Sequence, residues 1–152
     1  MLKNKKGFSL IELIVVIAIL GVLAGIAAPN IIGAINNARI NSDLANATTI
    51  ANAVLKAIAM GETGKTSDSN PYTYGIALEN KKVSDLTWLI PEHLNNVPQV
   101  RLTSALHSSD DANFYVSISA DGQVTVSAKT SASDYTQLYP TPAGAWATSS
   151  GK

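Results

Sequence analysis

The chain has 152 residues, is formally neutral with 11 basic and 11 acidic side chains, and is 46% apolar but only 14% charged. That length allows one domain with a modest core, and the absence of cysteine excludes disulfides, thiolate metal sites and thiol catalysis. Without its first seven residues the chain loses three lysines and no acid, so eight basic residues face eleven acidic ones, a balance that argues against a general nucleic-acid binder, and no specific nucleic-acid site is apparent.

The first element runs from Phe8 to Ala28 and is apolar apart from Ser9 and Glu12. As a helix it spans roughly 31 Å, one hydrocarbon core. Lys3, Lys5 and Lys6 precede it and Pro29 closes it, so the basic flank is expected to stay in the cytoplasm with the remaining chain on the far side. A secretory signal has a shorter apolar core and a small-residue cleavage site after it. A simple one-pass anchor leaves Glu12 unexplained, because an ionisable residue within such a run is costly and needs a partner.

The stretch KKGFSLIELIVVIAILGVLAGIAAPN resembles the amino terminus of type IV pilins and pseudopilins. The likeness rests on a short basic leader ending in Gly7, then Phe8, then Glu12, then the long apolar run. It covers roughly the first third of the chain, and the head matches only loosely. The resemblance implies that a membrane peptidase on the cytoplasmic side cuts between Gly7 and Phe8 and methylates the new amino terminus on Phe8. A physical account stands beside it. The cut creates a cation on Phe8 about one helical turn from Glu12. If subunits stack with a small axial shift, the Glu12 carboxylate of one meets the Phe8 amine of the next. A dry bundle tolerates a paired carboxylate and heavily penalises an unpaired one, so Glu12 acts as a register device, as a buried polar residue does in a coiled coil. The competing arrangement places Glu12 at the headgroup level or pairs it within its own chain.

Gly21 and Gly25 form a G-x-x-x-G pair that permits close helix approach. Pro29 removes one backbone hydrogen bond. The resemblance implies partial unwinding of Gly21 to Pro29 in a filament, against a smooth bend as the alternative. The helix is predicted to continue to about Met60. Ile40, Leu44, Ala47, Ala51, Val54 and Ile58 recur at steps of four and three, Leu55 and Ala59 widen the stripe, and Gly61 and Gly64 end it. A helix over 8–60, roughly 80 Å long, points to a fibrous or bundled role.

Two apparent motifs are discarded. Ala59 to Thr66 resembles a P-loop, but its first glycine is replaced by Ala59 and it follows a helix where a strand is required. Asn46-Ala47-Thr48 matches a glycosylation sequon inside a predicted helix.

Residues 61–70 read as a polar connection. Tyr72, Tyr74, Ile76 and Leu78 alternate, giving either a short strand or an extended loop. Ser84 or Asp85 is expected to cap a short helix that turns Leu86, Leu89 and Ile90 inward, with Trp88 nearby, and Pro91 to break it. His93 is expected on the surface of that turn, and its spacing to His107 is not that of a metal site. Phe114, Val116 and Ile118, then Val124 and Val126, flank an Asp-Gly turn. A two-residue turn at Asp121-Gly122 sets Ile118 against Thr125. A three-residue loop over Ala120, Asp121 and Gly122 instead pairs Ile118 with Val124, Val116 with Val126 and Phe114 with Ala128, which keeps the apolar partners on one face. Asp110, Asp111 and Asp121 lack calcium-loop spacing and read as solvated acids. Tyr135, Leu138 and Tyr139 form a last edge strand or a covering loop, and Trp146 either docks on the head or lies exposed between subunits. Many pilins staple this tail with a disulfide, which this chain cannot form.

The expected fold is α+β: a long amino-terminal helix, transmembrane over 8–28 and amphipathic beyond, packed against a small antiparallel sheet. The expected organisation is a leader at 1–7, the helix at 8–60 and a head at 61–152 completed by the carboxyl half of the helix. No nucleophile, base and oxyanion group stand at interpretable spacing, and no enzyme activity, cofactor or metal is expected. The resemblance implies a type IV pilus subunit, a homo-oligomeric filament built by helix bundling, with Gly7 and Phe8 as processing residues and Phe8, Glu12 and Pro29 as assembly residues. Its partners would be like subunits, minor pilins, the prepilin peptidase and an inner-membrane assembly platform. The subunit would be a single-pass cytoplasmic membrane protein before assembly and part of a cell-surface filament afterwards. Attachment, twitching and DNA uptake are roles such filaments serve. The alternative is a pseudopilin of a type II secretion or competence system, and a different class again is a membrane-tethered adhesion module that does not polymerise.

Overall fold

The computed structural model describes residues 8–62, 72–73, 75–90, 92–108 and 111–147. The leader through Gly7, most of the 61–70 connection with Gly64, Tyr74, Pro91, Asp110 and the tail beyond Ala147 lie outside them. The chain forms two compact units that divide between Asn37 and Ala38. One helix, α1, runs from Leu10 to Met60 and continues through Pro29.

In the second unit the carboxyl part of α1 packs against a four-stranded antiparallel sheet. Its strands are β1 (Leu78–Lys82), β2 (Phe114–Ile118), β3 (Val124–Lys129) and β4 (Tyr135–Tyr139), in that spatial order. The predicted stripe is present, because Ala47, Ala51 and Val54 are fully buried and Ile40, Leu44 and Ile58 pack against the core. It widens on the other flank from the one expected. Leu55 and Ala59 are exposed, whereas Ile50, Ala53 and Ala57 are buried. The buried line of the helix therefore includes 43, 47, 50, 54 and 57, and its first member is Asp43, an acid with no exposure. Ala47 and Ala57 on this line belong to the same buried cluster as Phe114, Val116, Ile118, Val124, Val126 and Ala128 of the sheet.

The β2–β3 hairpin adopts the three-residue loop. Phe114 lies opposite Ala128, Val116 opposite Val126 and Ile118 opposite Val124. The Ser119 amide donates to the Gln123 carbonyl at 2.9 Å, and Gly122 sits at φ +85°. A Cβ at Gly122 has room, with the Tyr72 hydroxyl 3.8 Å away, so the backbone conformation is the reason for glycine there. Gly122→Ala is expected to cost about 1 kcal/mol in urea unfolding without changing the strand register.

The remaining segments differ in detail from expectation. Of the 72–78 alternation, Tyr72 is buried and Ile76 is exposed, and β1 begins only at Leu78. The capped helix near residue 85 is a single 3-10 turn, Val83–Asp85. Neither Ser84 nor Asp85 caps it, and Lys82 occupies the cap position without a side-chain hydrogen bond. The side chains expected to point inward largely do so, with Leu86, Trp88 and Leu89 buried. Tyr135, Leu138 and Tyr139 do form an edge strand, and Trp146 docks with no exposure.

Asp111 sits beside the outer face of β2. Its Oδ1 accepts hydrogen bonds from the Asn113 amide at 3.0 Å and the Tyr115 hydroxyl at 2.8 Å, and the Lys82 and Lys129 ammonium groups each lie 3.8 Å from the carboxylate. The Asn113 hydrogen bond is the main reason its carboxyl is held below the ordinary aspartate value, with burial partly opposing and Tyr115 and the lysines assisting. A folded-state value below the unfolded one stabilises the head above the ordinary value, and that contribution is lost as pH falls through the folded-state value. Asp111→Asn is therefore expected to flatten the stability–pH curve below about pH 4 in urea titrations. Burial and the Asp111 carboxylate push the Tyr115 hydroxyl upward. Its contribution is present at neutral pH and is lost as pH rises past the ordinary tyrosine value of about 10.

Candidate functional site

The residues expected to be functional that the structure describes lie in the amino-terminal unit, starting at Phe8. Gly7 lies outside the described residues. Phe8 and Ser9 precede the helix, which begins at Leu10 and not at Phe8. The reason is local. The Ser9 amide donates to Glu12 Oε2 at 2.8 Å, and the Glu12 amide donates to Ser9 Oγ at 3.3 Å. This is a capping box, in which the two residues satisfy each other's otherwise orphaned backbone donors. The Leu13 amide then makes the first helical bond, to the Ser9 carbonyl at 3.3 Å. The capping-box signal is Ser9-x-x-Glu12 ahead of an apolar run, which the assignment of Glu12 to assembly alone leaves out.

Glu12 is thus engaged within its own chain at one edge of an open apolar concavity lined by Phe8, Ile11, Val15 and Val16. Its carboxylate remains on the surface and available to a second donor. Beyond it, large apolar side chains from Phe8 to Ile35 stand exposed, Leu10 at 76% and Ile26 at 66%. The most apolar 18-residue window of the helix has no buried share at all. Covering each such side chain is worth about 1.5–3 kcal/mol, so the segment as a whole forgoes tens of kcal/mol in water. That exceeds the roughly 5–15 kcal/mol by which a domain is stable. This surface requires lipid or protein around it, as a membrane-anchoring or signal-like segment does. Cβ atoms placed on Gly21 and Gly25 meet nothing within 4 Å, so no contact inside the described chain requires glycine at either position. Pro29 lies within the helix, and no break accompanies it.

Two groups outside this segment were not anticipated. Asp43 accepts three hydrogen bonds: from the Arg101 amide at 2.6 Å, the Leu102 amide at 3.0 Å and the Trp146 indole at 2.9 Å. It joins α1 to the strand-free segment around residue 101 and to the turn Gly144–Trp146. His93 is the second. Expected on the surface, its side chain is only 3% exposed and stands 2.8 Å from Glu62.

Residues 2–28 match the family described as the prokaryotic N-terminal methylation motif. No curated protein and no solved structure matches the chain. The motif, followed by a long helix whose carboxyl part packs against a small antiparallel sheet, makes this chain similar in general fold to the type IV pilins and pseudopilins.

Proposed function

We propose that the chain is a structural subunit of a type IV pilus, cut between Gly7 and Phe8, methylated on Phe8 and polymerised by bundling its apolar helix with those of other copies. The observation that carries this reading is the apolar stretch of α1, none of whose most apolar window is buried, with a single carboxylate, Glu12, in its first turn. A lipid bilayer covers such a surface before assembly and neighbouring subunits cover it afterwards. In the filament Glu12 exchanges its Ser9 partner for the Phe8 amine of an adjacent subunit, and Gly21 and Gly25 allow close helix contact. The subunit first spans the cytoplasmic membrane once and then forms part of a surface filament. Its partners are like subunits, the processing peptidase and an assembly platform.

Amino-terminal mass spectrometry of protein from its native cells, combined with filament imaging, tests the proposal. Methylated Phe8 at the terminus and long filaments containing the subunit are the expected result. A retained leader, or protein that never sediments or images as a fibre, overturns it. Processed subunits confined to short envelope structures would indicate the secretion or competence pseudopilin instead.

A further inference from the structure

The end of α1 and the turn that follows β1 bring three potential ligands together. Glu62, Glu92 and His93 each offer one donor atom, and these atoms all lie within 4.8 Å of one another. The backbone holds two of them in place. Gly61 adopts φ +72°, its amide donates to the Ile58 carbonyl at 3.1 Å, and the Glu62 amide donates to the Ala57 carbonyl at 2.9 Å. This is the double bond pattern that ends a helix at a left-handed residue, and it fixes the point from which Glu62 departs. His93 and Leu94 both donate to the Leu89 carbonyl at 3.0 Å, which anchors the backbone of the histidine.

A second, independent feature points to a ligand. The His93 side chain is 3% exposed, and both ring nitrogens are buried without a hydrogen bond of acceptable geometry, although Nε2 stands 2.8 Å from Glu62 Oε2. A buried imidazole left in that state is disfavoured unless something accepts its nitrogen lone pair or takes its proton. One imidazole nitrogen and two carboxylate oxygens form a donor set suited to a borderline divalent ion. Calcium and magnesium take oxygen ligands and gain little from imidazole.

We propose that Glu62, Glu92 and His93 bind a Zn²⁺ ion, with water completing the coordination. Bonds of about 2.0–2.2 Å in a tetrahedral site place the donors roughly 3.3 Å apart. The cluster reaches that spacing by small movements of the two exposed glutamates about the buried histidine. Two carboxylates balance the charge of the ion. The bound metal clasps the end of α1 to the turn carrying His93 and closes the chain between Glu62 and Glu92. That closure stabilises the head by restricting the unfolded chain. The inference does not depend on filament formation.

The test uses the full chain in detergent, purified without a polyhistidine tag, with Zn²⁺ as the probe. Equilibrium dialysis with elemental analysis is expected to show about one Zn²⁺ retained per chain, and added Zn²⁺ is expected to raise the unfolding midpoint. Glu62→Gln and Glu92→Gln should each weaken Zn²⁺ binding by about tenfold or more, and His93→Gln should abolish it. Co²⁺ in place of Zn²⁺ should give visible absorption that the same substitutions remove. Failure of the wild-type chain to retain Zn²⁺ above a Ca²⁺ control overturns the proposal, and the cluster is then an ion pair only. Undiminished retention by the two glutamate variants also overturns it. Both glutamates are exposed, so these variants remain informative even if His93→Gln fails to fold.

Discussion

Glu12→Ala is expected to remove filaments from cells that still make and process the protein. In the proposed bundle the carboxylate would face the amine of a neighbour's Phe8 across an apolar environment, and deleting it would leave that cation unpaired. Breaking a buried pair from one side weakens each subunit contact by roughly a hundredfold or more, and a polymer multiplies the loss along its length. Glu12→Gln should fail similarly, because it keeps the shape and the capping hydrogen bonds to Ser9 but loses the charge. Comparing the two variants separates the charge from the capping box, which glutamine also forms. Mass spectrometry of the amino terminus is expected to show normal processing at Phe8, so that an assembly defect is not mistaken for a cleavage defect. The head should unfold at the same urea concentration in both variants, since Glu12 lies outside the unit that contains the sheet. Normal filament yield from both would remove the carboxylate from the account of assembly.

Asp43→Ala is expected to have the largest effect on the stability of the head. The fully buried carboxylate accepts from two backbone amides and the Trp146 indole. Alanine leaves all three donors without their partner and opens a void. The expected loss is about 3–5 kcal/mol, comparable with a large part of a small domain's stability. Asp43→Asn should lose less, because one oxygen still accepts while its amide nitrogen faces a donor. Trp146→Phe removes only the indole hydrogen bond and some volume, for about 1–2 kcal/mol. Urea unfolding of the full chain in detergent, followed by far-UV circular dichroism, measures all three. A double-mutant cycle between Asp43 and Trp146 should show coupling, as expected for residues sharing a hydrogen bond. An Asp43→Ala variant within about 0.5 kcal/mol of the wild type would rule out a clamp at this position. The clamp ties distant parts of the head together: a carboxylate on α1 holds the turn Gly144–Trp146, a contact spanning 103 positions.

The features that could be read directly are those governed by neighbours along the chain. The apolar run with its prolonged helix depends on local composition and a period of 3.6 residues. The hairpin register depends on matching apolar residues across a loop of three, and Ile118–Val124, Val116–Val126 and Phe114–Ala128 pair as that argument requires. The capping box at Ser9 and Glu12 belongs to the same class, since its partners are three residues apart. The lateral limits of the helix stripe were less legible. A search for apolar periodicity rejects Asp43 from a core position, and that shifts the apparent stripe toward Leu55 and Ala59, away from Ile50 and Ala57.

By itself, the sequence determined a membrane-length helix prolonged into an amphipathic one, a hairpin of known register and an amino-terminal motif, because each rests on interactions a few residues long. Only the tertiary structure decided that Asp43 is an interior acceptor, that Trp146 is its donor, and that His93 is buried beside Glu62. The physical reason is the same in each case. Whether a polar group can leave water depends on which partners meet it, and those partners are brought together by chain folding over separations that no local pattern encodes.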